Sequence, residues 1–479
     1  MFSLLKNYNN LSAEIKSSIW YMVCNLLQKC IGVITIPILT RLLTTSEYGL
    51  YSVFLAWLQL FEIPVTLRLS WGSYIVGLTK FSDDRERYTS SLLSLSFVIT
   101  TIFLILYLLF YELVNNITGL PFETTLLIFA ILYTMPAISF WSGLQKVCLR
   151  YKQMVFVTIF ISLFVPLIGI CFIINNTFSD KYQGMIYSRF VVQGVIALIL
   201  AFSFYKASCT IYNKKYWKHA LSMNLPLVPY YYSLVLLAAS SKIMIQNMIG
   251  NAEAGIYSVA YSAAMVMTML NSSLNSTIQP WFLKKLKEKS YNGISRILSF
   301  SILFIAIINL MLIAFAPEAV AIFAPQQYYG AIWVIPPIAA SVVIMFIYYY
   351  FINVEMYFEQ TKKITIASLV AAIINIILNY LLLPIFGYLI AGYVVLASYL
   401  IFAVVHYFMC KKICIENDCP TDLVNVKVVL IILAVFSLLA ILLTFGYKMP
   451  LIKYVFILAV GAMVYYKREY LYIIYKGIE

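Results

Sequence analysis

Charge is what this chain has least of. Only 11% of its 479 residues are Asp, Glu, Lys or Arg, far below the roughly one quarter found in soluble domains, so an ordinary water-facing surface cannot be built from it. Histidine is nearly absent: His219 and His406 are the only two, and neither has an evident Ser, Cys or carboxylate neighbour to make a nucleophile or general base. No GxxxxGK[ST] run occurs, which excludes a nucleotide-hydrolysing phosphate loop. No polar segment is long enough to fold as a separate catalytic domain; the longest on the expected outer side is "PEAVAIFAPQQYYG" near 317–330. Eight cysteines are scattered, and the one cluster, Cys410, Cys414 and Cys419, lacks the tight pairs and added His or fourth Cys of a zinc site. The expectation is reduced thiols, no metal and no cofactor.

What fills the chain instead is apolar sequence, 63% of residues at a mean hydropathy of +0.90. Windows of about 20 apolar residues, the length needed to cross hydrocarbon as helix, recur from 17–40 through to 451–466. They predict an all-α polytopic membrane protein with about fourteen transmembrane helices. The first window is too long, and too poor in small residues after it, for a cleaved signal. The last pair, 427–447 and 451–466, is separated only by "KMP".

The net charge of +14 does not point to nucleic acid. Most Lys and Arg fall at the termini and in even-numbered loops, as in Lys146/Arg150/Lys152 and Lys284/Lys285/Lys287/Lys289, which by the positive-inside rule puts both termini in the cytoplasm.

A pentapeptide repeats. GLYSV at 49–53 opens the second span and GIYSV at 255–259 the eighth, each just after an outer-side turn, "TTSEY" and "GNAEA". An even number of spans separates them, so the copies share one orientation, the arrangement of parallel repeats about an axis along the membrane normal. Two pseudo-symmetric six-helix lobes follow, 1–219 and 220–426, with an additional C-terminal helix pair at 427–479.

The stretch "NLLQKCIGVITIPILTRLLTTSEYGLYSVFLAWLQL" resembles the opening of Wzx-type O-antigen and polysaccharide repeat-unit flippases, in the multidrug/oligosaccharidyl-lipid/polysaccharide exporter superfamily. "AEAGIYSVAYSAA" at 252–264 is similar to the second-lobe counterpart. The resemblance implies a transporter, not an enzyme. It would carry undecaprenyl-pyrophosphate-linked oligosaccharide, for O-antigen (lipopolysaccharide) or capsule, from the cytoplasmic to the outer leaflet of a bacterial inner membrane by alternating access. Its partners would be that substrate and membrane lipids, with a polysaccharide polymerase and a chain-length regulator as candidates, and no nucleic acid. Three other readings stay open: a cation-coupled drug antiporter of the same superfamily, a lipid II flippase, and, against the short loops, a membrane glycan polymerase.

A charge at mid-bilayer costs roughly 2.5–3.5 kcal/mol even on the lenient insertion scale, so each one asks for a reason. Lys29 lies deep in the first span and Glu62 at similar depth in the second, with Gln28 and Gln59 beside them as helix-pairing candidates. Two compatible readings follow: a structural ion pair, or a phosphate-meeting Lys29 with Glu62 as the ion-coupling acid. Pro64 is placed to break the helix just beyond. Lys242 mirrors Lys29 in the seventh span, while Arg68 and Arg189, near span ends, are weaker binding candidates that can snorkel. The four cations against one acid suit an anionic ligand. Asn271, Asn275 and Gln279 form a stripe at four-residue spacing, a candidate face for sugar hydroxyls; Asn375 and Asn379 repeat the spacing and read rather as helix glue. The tyrosine triplets 230–232 and 348–350 read as interfacial anchors, and "PLVP" at 226–229 as a break in the long seventh span, either a joint or a fixed kink.

Overall fold

The computed structural model describes residues 12–421 and 423–449, together with 453–455, 458 and 461. The chain forms two compact units, Met1–Gly255 and Ile256–Glu479. In the first unit the helices are α1 (Ala13–Leu42), α2 (Thr45–Thr66), α3 (Gly72–Lys80), α4 (Arg85–Leu109) and α5 (Tyr111–Thr118). They continue as α6 (Phe122–Val147), α7 (Tyr151–Ile174), α8 (Gln183–Ala207), α9 (Lys214–Asn224) and α10 (Val228–Met248). Helix α11 (Asn251–Lys287) contributes its first turn to this unit and the rest to the second. The second unit adds α12 (Ile294–Ala314), α13 (Ala316–Phe323), α14 (Ile335–Tyr357), α15 (Thr361–Phe386), α16 (Ile390–Glu416) and α17 (Val426–Phe445).

All regular structure among the described residues is helical, as hydrocarbon demands when no water is present to satisfy the backbone. Among them, twelve stretches are long and apolar enough to cross a membrane. Two of the fourteen expected spans are not among these twelve. The eighth expected span, 255–280, is fully helical within α11, but Asn271, Ser272, Ser273, Asn275, Ser276, Thr277 and Gln279 hold its hydropathy down. The fourteenth, 451–466, lies mostly outside the described residues.

Local chemistry explains where the helices begin and end. In "TTSEY" Thr44 caps α2 with its side chain on the Glu47 N–H, and Glu47 returns a bond to the Thr44 N–H at 2.9 Å, a complete capping box. At the other end Pro64 lies within the last turn, and Leu67 and Arg68 take left-handed φ of 48° and 46°. The chain turns sharply there at a cost of about 1–2 kcal/mol per residue. The long seventh span, Lys214–Met248, is broken at Leu225–Leu227 by a short 3-10 turn where "PLVP" falls.

Within the first unit α1 packs on α7, α7 and α6 on α8, and α10 lies along α2. The first turns of α2 and α11 meet at the two repeat glycines, Gly49 and Gly255. In the second unit α14 is the centre, packed on α16 and α12, and most of its residues are buried; α17 is carried mainly by α12.

Candidate functional site

Membrane-embedded polar groups gather in two places, one in each unit. In the first, Glu62 on the last turns of α2 lies 3.7 Å (Oε2 to Nη2) from Arg68, across the left-handed turn. The cation beside Glu62 is therefore Arg68 and not Lys29. Arg68 does not snorkel. It is buried, with its guanidinium 4.4 Å from the Trp71 ring centre and 5.2 Å from that of Tyr231, the middle residue of the first tyrosine triplet. Two aromatic faces and a carboxylate hold a cation well in a dry setting. Glu62 also borders a recess of about 10 Å³, room for roughly one water, walled in part by Thr66, Ser70, Ser96 and Ser139. The Ser96 hydroxyl is buried with no hydrogen-bond partner among the described residues.

The other expected residues of this unit are spread over several helices. Lys29 is exposed on α1 and has no acidic partner among the described residues. Gln28 donates to the Ser162 hydroxyl of α7 at 3.2 Å and so does pair two helices. Gln59 is exposed on α2, one turn before Glu62. Arg189 is half-buried on α8; its Nε and, one turn on, the Gln193 Oε1 are buried with no partner among the described residues. Lys242 is half-buried on α10.

In the second unit the amide stripe of α11 is engaged by α14. Asn271 donates to the Val342 carbonyl at 2.8 Å, and Gln279 donates to Asn353 Oδ1 at 2.9 Å. Asn353 in turn donates to Asn275 Oδ1 at 3.1 Å, so one residue of α14 bridges two of the three stripe amides. Asn375 donates to the Ser398 hydroxyl at 3.0 Å and accepts from Asn379 at 3.0 Å, joining α15 to α16.

The same unit holds a pair that sequence reading misses. His406 was expected to lack a carboxylate partner, and Glu62 to be the sole acid within a span. Instead His406 Nδ1 lies 2.8 and 2.9 Å from the two oxygens of Glu355, and neither side chain has any exposure. Such a fork requires a proton between ring nitrogen and carboxylate. The apolar window expected to cross the membrane here, 331–354, stops one residue short, whereas α14 runs to Tyr357 and carries Glu355 inside. Tyr348, from the second triplet, stacks on Tyr399 with centroids 6.0 Å apart, and Phe402 meets the His406 ring edge-on at 4.3 Å. This triplet thus lies partly in the interior.

The cysteines of the cluster are free thiols: Cys410 and Cys414 are buried and Cys419 lies 3.4 Å from the Tyr291 hydroxyl. Among the described residues no group of three or more His, Cys, Asp or Glu is arranged to hold a metal ion.

Comparison with known proteins places this architecture. The family model described as "Polysaccharide biosynthesis protein" matches residues 15–286, more than half of the chain. A curated relative, "Lsg locus putative protein 1" of Haemophilus influenzae, is 22% identical over 382 residues, covering 75% of this chain and 89% of its own. Among solved structures, the inward-facing conformation of a multidrug resistance MATE family transporter of the MOP superfamily aligns over 85% of this chain and 99% of its own, with a TM-score of 0.65 at 13% identity. The lipid II flippase MurJ in an inward closed conformation aligns over 91% and 100%, with a TM-score of 0.60 at 13% identity. A MOP superfamily transporter from Pyrococcus furiosus Vc1, described as having a binding pocket of reverse polarity, aligns over 84% and 95%, with a TM-score of 0.54 at 14% identity. The chain belongs to the polysaccharide biosynthesis protein family, and its fold is that of the MOP superfamily of membrane transporters.

Proposed function

We propose that this multi-pass inner-membrane transporter is a flippase for undecaprenyl-pyrophosphate-linked oligosaccharide repeat units, supplying O-antigen or capsule synthesis. In this reading fourteen helices cross the membrane, both termini are cytoplasmic, and two six-helix lobes (1–219 and 220–426) rock about a seam, with 427–479 as an added helix pair. Lys29, Lys242, Arg189 and Arg68 meet the pyrophosphate, Asn271, Asn275 and Gln279 meet sugar hydroxyls, and Glu62 takes the coupling ion.

The observation that carries the reading is the state of the charges within the spans. Glu62 is held by Arg68 and Glu355 by His406, whereas Lys29 is exposed with no acidic partner among the described residues. The charge offered to a ligand is therefore positive, which suits a pyrophosphate and disfavours the antiporter reading, since a cationic drug requires an unpaired acid. Lysine supplies a point charge without a bidentate fork, a contact that holds a phosphate and still releases it. A head group of about −2 moving outward gains roughly 4–5 kcal/mol at 100 mV, so the membrane potential alone drives the step when protein charges stay in place.

The test is accessibility of radiolabelled lipid-linked oligosaccharide on the far leaflet of proteoliposomes, for wild type, Lys29→Ala and protein-free vesicles. Exposure that requires the protein and is lost in a folded Lys29→Ala supports both the function and the residue. Uptake of a cationic dye with no glycan-lipid exposure would move the assignment to a drug exporter.

A further inference from the structure

The second unit carries a groove that the transport reading leaves unused. It has a volume of about 610 Å³, within the ~300–1,000 Å³ of small-molecule sites, and its walls are the outer faces of α14, α16 and α17. Its origin is visible in the packing. Helix α17 is held by α12 and only brushes α14, so a furrow is left between them, widened by small side chains at Ala340, Ser437 and Ala440. The furrow runs along α17 and the 3-10 turn after it from Phe436 to Lys448, twelve steps or about 18 Å at 1.5 Å per residue. Half of a hydrocarbon core of ~30 Å is ~15 Å, so the furrow has the depth of a single leaflet.

Its two ends differ in chemistry. The deep end is closed by the buried Phe436 ring. The mouth, where α14 and α16 begin and α17 ends, carries Trp333, Tyr393 and Lys448. Trp and Tyr are the residues of the headgroup level. Lys448 is exposed and has no acidic partner among the described residues; Glu318 is held by Lys453.

We propose that this groove binds one acyl chain of an anionic phospholipid, with its phosphate on Lys448. An apolar furrow one leaflet deep takes a single-leaflet chain. A cation at headgroup level then selects the lipid's net charge, because a zwitterionic headgroup brings its own ammonium against Lys448. The site requires only that the helices span a bilayer, and it stands whether or not the transported molecule is a glycan lipid.

The test is native mass spectrometry of the full chain released from nanodiscs of phosphatidylglycerol or of phosphatidylcholine with matched tails. Wild type is expected to retain one phosphatidylglycerol through delipidation, about fivefold more than phosphatidylcholine, the preference one surface lysine confers. Lys448→Glu abolishes the preference, and Lys448→Gln, the milder change, lowers it toward parity. Ala440→Phe fills the furrow and removes retention of both lipids, with thermal unfolding checked to show that the variant folds. Equal retention of the two lipids by wild type, or a preference untouched in both Lys448 variants, overturns the proposal. So does a single-chain polyprenyl lipid found in place of the phospholipid.

Discussion

The side chain that Gly49 lacks would place its Cβ 1.9 Å from the carbonyl oxygen of Asn251, and the one that Gly255 lacks would fall 2.2 Å from that of Thr45. Asn251 is four residues before Gly255 and Thr45 four before Gly49, so the contact is reciprocal, each glycine resting on the turn that leads into the other's helix. The repeated pentapeptide is therefore more than an echo of a duplicated helix start. Its glycines let the first turns of α2 and α11 approach with backbone against backbone.

Substituting either glycine tests this directly. A methyl group driven into a carbonyl cannot be relieved by a rotamer change, so Gly49→Ala and Gly255→Ala should each cost about 1–3 kcal/mol. Together they should cost less than their sum, because the first substitution already separates the turns. Gly32, with nothing within 4 Å of its would-be Cβ, is the control: Gly32→Ala in α1 should be neutral or stabilising by up to ~1 kcal/mol. Thermal unfolding in detergent, read by intrinsic fluorescence, ranks the four variants against wild type. Equal behaviour of Gly32→Ala and Gly49→Ala would falsify the close-approach argument.

The Glu355–His406 pair makes a second forecast. With no exposure on either side, removing one partner leaves the other buried without its hydrogen bond, so Glu355→Leu or His406→Phe alone should cost roughly 3–5 kcal/mol. The double replacement leaves two apolar groups of similar bulk and should recover much of that loss. A double-mutant cycle on unfolding midpoints measures the coupling; additive effects would show that the two side chains do not act as a pair.

How much of this was legible beforehand follows from what hydrocarbon demands of a chain. An unbroken apolar window has to be helix, and a T-x-x-E box or a PLVP break marks its own boundary, so the positions of the long helices could be read with no knowledge of packing. The exceptions have physical causes. Helix α11 is hard to class as a span because its amides depress its hydropathy, and their partner, Asn353, lies on another helix. Glu355 escaped because counting apolar residues closes the span just before it, and His406, 51 positions away, is brought to it only by the packing of α14 on α16. Distance to a helix end alone suggests that Arg68 snorkels. That distance carries no trace of the left-handed turn that folds the guanidinium back over Trp71 and Tyr231.

Asn353 separates two roles for the amide stripe. Asn353→Ala strands both Gln279 Nε2 and Asn275 Oδ1, two half-buried groups, and should cost about 1–2 kcal/mol in all, below the full penalty for buried groups. Gln279→Ala strands only one group, the Asn353 side-chain Oδ1, and should cost less. If the stripe also meets sugar hydroxyls, as proposed, Gln279→Ala should reduce flipping of glycan lipid more than Asn353→Ala does, reversing the order of their stabilities. Flipping rates that simply follow stability would leave the stripe as helix pairing alone.

Acid should loosen the second unit at a named place. Glu318 opens α13, outside the spans, and its carboxylate titrates below the usual 4.5. Burial is the largest single influence and works the other way, but hydrogen bonds from Lys453 and Tyr454, its own backbone N–H and the Lys453 charge together outweigh it. A carboxylate lowered in the folded state binds its proton more readily once unfolded. Its contribution is thus complete above the ordinary carboxylate range and is lost as pH falls through the lowered folded value. Wild type should therefore lose thermal stability from about pH 4.5 downward, while Glu318→Gln, already without the ion pair, starts lower at neutral pH and shows a flatter profile over that interval. Because Glu318 is about one third exposed, solvent screens the pair and the difference should be modest. Parallel profiles for the two proteins below pH 4.5 would mean that Lys453 gains nothing from the carboxylate beyond what a neutral amide supplies.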